Sequence, residues 1–259
     1  MRYLFVLLLF ASCTGNSGLQ LKLTGQVDNR NVKAQVDTLK IRPYTVKSRP
    51  AIFETAFFTN ATAITEDTIK TSFYTVNIGK LKVETGELVA WDPNQLEDAK
   101  PFIHKFPLGS YPVHLSIAKT KLDQRVAFAR VYFSANPVSK WQFALRKGQE
   151  NIPVFSDSIY GYGADAGIGL FMDMGSVKAY NKQIKEEPDL FEKIFFQDMD
   201  KHYQHTWSYT LYNLGKHNLA AFYTGYGDGF YATFIGYDQQ GKICRLLTDF
   251  SLVEWRKDQ

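Results

Sequence analysis

The chain has 259 residues, with 30 Lys or Arg against 26 Asp or Glu and a formal net charge of +4. That near balance, without any cluster of five or more like charges, leaves no electrostatic footprint for nucleic acid or for an anionic lipid surface. An apolar fraction of 45% with 15% aromatic residues excludes a disordered chain and favours a folded globule rich in strands.

Taken from the N-terminus, Arg2 is followed by an unbroken apolar run over residues 3–11, and Ser12 leads into Cys13. One basic residue, a short apolar run and a small residue at its end is the order of a signal peptide, here residues 1–12. The run is too short for the roughly 20 residues that cross ~30 Å of hydrocarbon, and no later segment is apolar for as long. Phe10-Ala11-Ser12-Cys13 resembles the lipobox of bacterial lipoproteins, with Phe10 where leucine is usual. The resemblance implies a diacylated Cys13, a chain held at a membrane by its lipid, and a domain displayed in the bacterial cell envelope outside the cytoplasm. An ordinary signal peptide with an incidental cysteine is the plainer alternative. Residues 13–50 are polar, with Gly15, Ser17, Gly18 and Gly25 early, and read as a lipid-attached tether; residues 51–259 read as one β-rich domain.

Within that domain, apolar alternation interrupted by turn residues recurs at short intervals. Residues 80–83 alternate, Thr85-Gly86 supplies a turn, and residues 87–91 read as the returning strand of a hairpin. Val113, Leu115 and Ile117 fall on one face of a strand, residues 121–124 are a polar connection, and residues 126–133 run back. A third pair is 230–237 and 242–250, joined through Gly241, which permits the positive φ that tight turns need. One helix stands out: Pro188 and Asp189 suit a first turn, and Leu190, Phe191, Ile194, Phe195 and Met199 recur at helical spacing. The expected class is α+β, mostly antiparallel β with hairpins and one or two packed helices. Cys244 sits in an alternating stretch and reads as a small core residue rather than a nucleophile.

Signatures of known catalytic machinery are absent. There is no Gly-x-Ser-x-Gly elbow, His-Glu-x-x-His helix, phosphate-binding loop or paired-cysteine metal knuckle. The glycines of 225–229 have the wrong spacing for a nucleotide loop and run into a strand. Asp198, His202 and His205 stand at i, i+4 and i+7, which would align three metal ligands if one helix carried them all. The same residues equally suit the solvated margin of a helix near its C-terminus. His104, His114 and His217 are scattered. Asp165, Asp173 and Asp228 lie in or beside glycine-containing turns; converging, they could act as acid and base or hold a metal, and singly each could cap neighbouring amides. No cofactor is implied.

Gly86-Glu87-Leu88-Val89-Ala90-Trp91-Asp92-Pro93, Leu108-Gly109-Ser110-Tyr111-Pro112-Val113 and Arg125-Val126-Ala127-Phe128-Ala129 resemble blocks of the DUF4241 family of uncharacterised bacterial proteins. Ala164-Asp165-Ala166-Gly167, Phe171-Met172-Asp173, and the stretch from Gly227-Asp228-Gly229 through Gly236-Tyr237-Asp238 to Leu247-Thr248-Asp249-Phe250 resemble its C-terminal blocks. The departures are Trp91, where a cysteine or similar small residue is common, Leu108-Gly109, where the family has Pro-Gly, and Ile168, near which it has Thr or Leu. The resemblance implies one contiguous domain over about residues 53–250 and brings no activity or catalytic assignment. The sequence thus points to a membrane-anchored envelope lipoprotein of unknown biochemical function, a non-enzymatic binding or protein-interaction module, an immunity-like role included. The alternative is a metal-dependent or acid/base hydrolase using the three aspartates, and convergence of their carboxylates separates the two.

Overall fold

The computed structural model of the protein describes residues 21–22, 50–59, 61–65, 70–121, 123–253 and 255. The signal segment 1–12, Cys13 and all of 14–49 except Leu21 and Lys22 lie outside the described residues.

Thirteen strands are described. They are β1 (Leu21–Lys22), β2 (Thr62–Thr65), β3 (Lys70–Val83), β4 (Leu88–Trp91), β5 (Gly109–Lys119), β6 (Gln124–Tyr132), β7 (Lys140–Phe143), β8 (Gly161–Ala164), β9 (Ile168–Asp173), β10 (Tyr209–Leu214), β11 (His217–Tyr223), β12 (Gly229–Tyr237) and β13 (Ile243–Asp249). The helices are α1 (Ile52–Thr55), a 3₁₀ segment Pro93–Asp98, α2 (Met174–Glu186) and α3 (Leu190–Glu192), which runs on as a π-helical turn over Lys193–Asp198.

The strands form two antiparallel sheets. The larger is ordered β1-β2-β3-β5-β6-β13-β12-β7, with β8 also pairing β12, and the smaller β10-β11-β9-β4. Between them lies a core to which the large sheet gives Leu115, Val131, Ile235 and Leu246 and the small sheet Leu88, Ala90, Phe171, Ala220 and Phe222. Because side chains alternate along a strand, the same strands send a second set outward, and helices cover it. On the small sheet, Leu170, Met172, Leu219 and Ala221 meet Val177 and Tyr180 of α2 and Leu190, Ile194 and Phe195 beyond it. On the large sheet, Phe53 of α1 packs on Trp141, Phe234 and Trp255 with ring centroids 5.2, 4.8 and 4.8 Å away. The result is two sheets face to face between two helical covers. Strands such as β9, buried on both faces, therefore read as continuous apolar runs.

β5 pairs with β6 and β12 with β13, each through a short local connection, and Gly241 takes φ +74° in the second. The expected pairing of 80–83 with 87–91 does not form. β3 pairs with β2 and β5, and β4 pairs with β9, so residues 84–87 carry the chain from one sheet to the other. Leu81, Val83, Leu88 and Ala90 are all buried in the intersheet core. Alternation shows which face of a segment is apolar; it does not show which strand lies beside it. The helix expected around 190–199 is present, and α2 is a further helix the apolar spacing did not announce.

Candidate functional site

The turns that carry Asp165 and Asp228 come together, and Asp173 does not join them. β8 and β12 are in register at Ala164 and Gly229, so one step beyond the ladder places Asp165 opposite Asp228. The turn after β8 and the turn before β12 then touch backbone to backbone. Gly167 has φ +61°, and a Cβ built there would lie 3.4 Å from the Gly227 Cα and 3.9 Å from Asp228 Oδ1. The Thr224 amide donates to the Gly167 carbonyl at 3.0 Å. Glycine thus serves close approach at this end of the sheets as well as turn geometry.

Both carboxylates are exposed. Asp165 Oδ2 accepts from Gln95 Nε2 at 3.0 Å. Two aromatic rings are exposed on the same β12 turn and strand start, Tyr226 at 46% and Phe230 at 52%. Arg125 lies over the Tyr226 ring at 4.8 Å, donates to the Gly225 carbonyl at 3.2 Å and pairs with Asp123 at 2.5 Å. One end of the sandwich therefore presents two acids and two aromatic rings on a glycine-rich frame.

The frame is held by a residue the sequence reading passed over, Asp92. Its Oδ1 accepts from the Asn94 amide at 2.6 Å, capping the 3₁₀ segment, and its Oδ2 accepts from the amides of Asp165 and Ala166 at 2.5 and 3.1 Å. Asp92 is buried, so one carboxylate fixes a helix start and the acidic turn together. An Asp directly before a Pro, with Pro93 at the first helical position, was the available signal. Trp91 donates its indole N–H to the Gln95 carbonyl at 2.8 Å, and the Arg146 guanidinium lies 4.3 Å over its ring. Arg146 also donates to the carbonyls of Gly161 and Ala90 at 2.7 and 3.2 Å. Burial pulls its pKa down to about 10, which leaves it cationic.

Asp173 ends β9, on the order of 20 Å along the strand from the Asp165 turn. It is buried; Oδ1 accepts from the Gly175 amide at 2.8 Å to cap α2, and Oδ2 accepts from the amides of Glu84 and Thr85 at 3.1 and 3.0 Å. Its oxygens are thus engaged by backbone and by the Thr85 hydroxyl. The arrangement is that of a brace between the sheet-crossing turn and a helix.

Asp198, His202 and His205 do not converge either. The helix ends before His202, and His205 lies in a turn at φ +53°. Asp198 accepts from Lys201 Nζ at 2.8 Å and from the Thr210 hydroxyl; burial works to raise its pKa, and these two donors hold it below the usual carboxylate value. The His202 ring stacks on Tyr209 at 4.5 Å. Among the described residues no group of three or more His, Cys, Asp or Glu side chains is placed to hold a metal ion. His217 pairs with Glu84, and His114 accepts a 3.4 Å hydrogen bond from Arg130 Nε beneath α1. Cys244 is wholly buried and its thiol faces the Gly236 carbonyl at 3.3 Å; burial pushes its pKa up to about 12.

A family model described as protein of unknown function, DUF4241, matches residues 81–248. The chain belongs to this family. No curated protein and no solved structure matches it. The DUF4241 match runs from the end of β3 through nearly all of β13. Three stretches of that match far apart in the chain, around Asp92, Asp165 and Asp228, are the ones the fold brings to one end of the sandwich.

Proposed function

We propose that this DUF4241 protein is a lipid-anchored protein of the bacterial cell envelope whose domain binds a protein partner through the Asp165–Asp228 end. The observation that supports binding over hydrolysis is the division of labour among its acids. Asp92 and Asp173 are buried and hydrogen-bonded to backbone amides, while Asp165 and Asp228 stand exposed beside Tyr226 and Phe230. The exposed rings on a rigid frame supply the aromatic contact area an interface centre uses, and the acids beside them supply the charge complementarity that steers and selects a partner. A hydrolase built on the three aspartates would need Asp173 at the same place, and it lies at the far end of β9.

Residues 1–13, one basic residue and a short apolar run ending in Ser12-Cys13, support anchorage through lipid. Among the described residues no helix is long and apolar enough to cross a membrane, so the lipid on Cys13 is the anchor this reading requires. Mass spectrometry of the native N-terminus is expected to find an acylated Cys13 as first residue, and Cys13→Ser to release the chain from membranes. A free Cys13 thiol or an intact Met1 would remove this half of the proposal. For binding, chemical crosslinking of the anchored protein in its own cells is expected to give a defined adduct that is lost in the Asp165→Asn, Asp228→Asn, Phe230→Ala triple variant. An adduct pattern unchanged by the triple variant would place the interface elsewhere.

A further inference from the structure

At the opposite end of β12 from the acidic turns, a cleft of about 700 Å³ opens between the 104–107 segment and the β12–β13 turn. That volume lies within the ~300 to 1,000 Å³ usual for small-molecule sites. Phe106, Phe133 and Ile243 line it, with Tyr237 and His104 side by side at a ring separation of 6.5 Å. Phe106 and Phe133 are themselves packed at 5.7 Å, so this wall is preformed. The flanking residues Ile103 and Leu108 are exposed at 54% and 65%, extending apolar surface outward along the same segment.

Lys105, Asp238 and Lys242 are the charged residues of the lining. Asp238, the acid of its lining, is turned into its own loop, where it accepts from Asn136 Nδ2 at 2.7 Å and from the amides of Gln240 and Lys242 at 2.9 Å each. Lys105 is paired with Glu87 at 2.5 Å. Burial lowers the pKa of His104, and its Nδ1 has no hydrogen-bond partner among the described residues, so the ring serves as a neutral wall. Lys242 is exposed and makes no direct ion pair among the described residues, and its charge helps hold the Asp238 carboxyl below the usual carboxylate value. An aromatic wall beside an exposed ammonium selects for a flat apolar body carrying a negative head.

We propose that this cleft is a binding site for a small amphipathic anion, an aromatic or aliphatic body of about ring size bearing a carboxylate or equivalent group, with Lys242 holding the head. The test is a calorimetric titration of the full chain with 1-naphthoate and, separately, with 1-naphthylmethylammonium. Naphthoate is expected to bind saturably at one site at least tenfold more tightly than the ammonium. Lys242→Glu, at an exposed position that does not threaten folding, is expected to weaken naphthoate at least tenfold, and Lys185→Glu on α2 to leave it unchanged. Leu108→Asp, also exposed, is expected to weaken it severalfold. Absence of saturation, equal affinity for the two probes, or binding indifferent to Lys242→Glu would each overturn the assignment.

Discussion

Asp173 and Thr85 are joined twice across the two sheets, because the Thr85 amide and the Thr85 hydroxyl each donate to Asp173 Oδ2 at 3.0 Å. The same carboxylate caps α2, so one side chain fixes the crossing between sheets and the start of a helix. Asp173→Ala is therefore expected to lower the unfolding free energy by about 2 to 4 kcal/mol, the sum of a lost cap and of amides left buried without an acceptor. Urea denaturation measures it, and a loss below about 1 kcal/mol would show that the brace is dispensable.

Asp165 and Asp228 are expected to behave in the opposite way. Both side chains are exposed, and Asp165 contributes its backbone amide, rather than its carboxylate, to the Asp92 contact. Asp165→Asn and Asp228→Asn should each change stability by less than about 0.5 kcal/mol. Asp92→Ala should cost about 1 to 3 kcal/mol, since it strips two amides and a helix start of their acceptor. Thermal melts of the three variants side by side decide whether the acidic turn is a presented surface or part of the scaffold.

The Cys244 thiol, buried and with its pKa pushed up to about 12, should be inert in the native protein. A thiol-reactive disulfide reagent at neutral pH is expected to modify Cys244 only after denaturant is added. Rapid modification of the native domain at this residue would contradict the packing of β13 against β12.

His114 gives a pH dependence with a definite sign. Burial first, and then the charges of Arg130 and Arg245, lower its pKa from 6.5 to about 4. Between those values the unfolded chain takes up a proton that the native ring does not, so stability falls as pH drops from about 6.5 to about 4 and this contribution levels off below. His114→Gln, which retains an acceptor for Arg130, should reduce the acid-side loss by on the order of 1 kcal/mol, a value discounted for the ring's partial exposure. Denaturation curves at pH 7 and pH 4.5 for both proteins test it; equal losses would mean that His114 is not the titrating group.

What could be read from residues alone followed the distance between partners in the chain. β5 with β6 and β12 with β13 are neighbours in sequence, and the connections between them carry their own turn chemistry. β4 with β9 is a pairing across some eighty residues, set by core shape and by the Asp173 brace, and neither segment carries a local mark of it. The apolar spacing of α2 is faint because its buried stripe is narrow, with Val177 and Tyr180 its buried apolar side chains amid three lysines and one glutamine. Its signal was the Asp173 cap, which the glycine-flanked pattern disguised as a possible catalytic acid. The meeting of Asp165 with Asp228 was visible only as two similar turns; their adjacency depends on β8 finding β12. Asp198, His202 and His205 do not share one helix face, since the helix ends before His202.

The position of β13 in the large sheet bears on how the chain acquires its structure in time. β6 (Gln124–Tyr132) has β5 on one side and β13 (Ile243–Asp249) on the other, and more than a hundred residues separate β13 from β6 in the chain. Until residue 249 is available, the ladder edge of β6 stays open, and β12 lacks its long hairpin partner. Open edges with apolar faces on both sides are templates for pairing with other chains. Formation of the native sheet is therefore a late, non-local event, slow by the measure of sequence separation. A chain cut short before Ile243 would persist as an aggregating species instead of a smaller stable domain, and one kept unfolded until complete would avoid that fate.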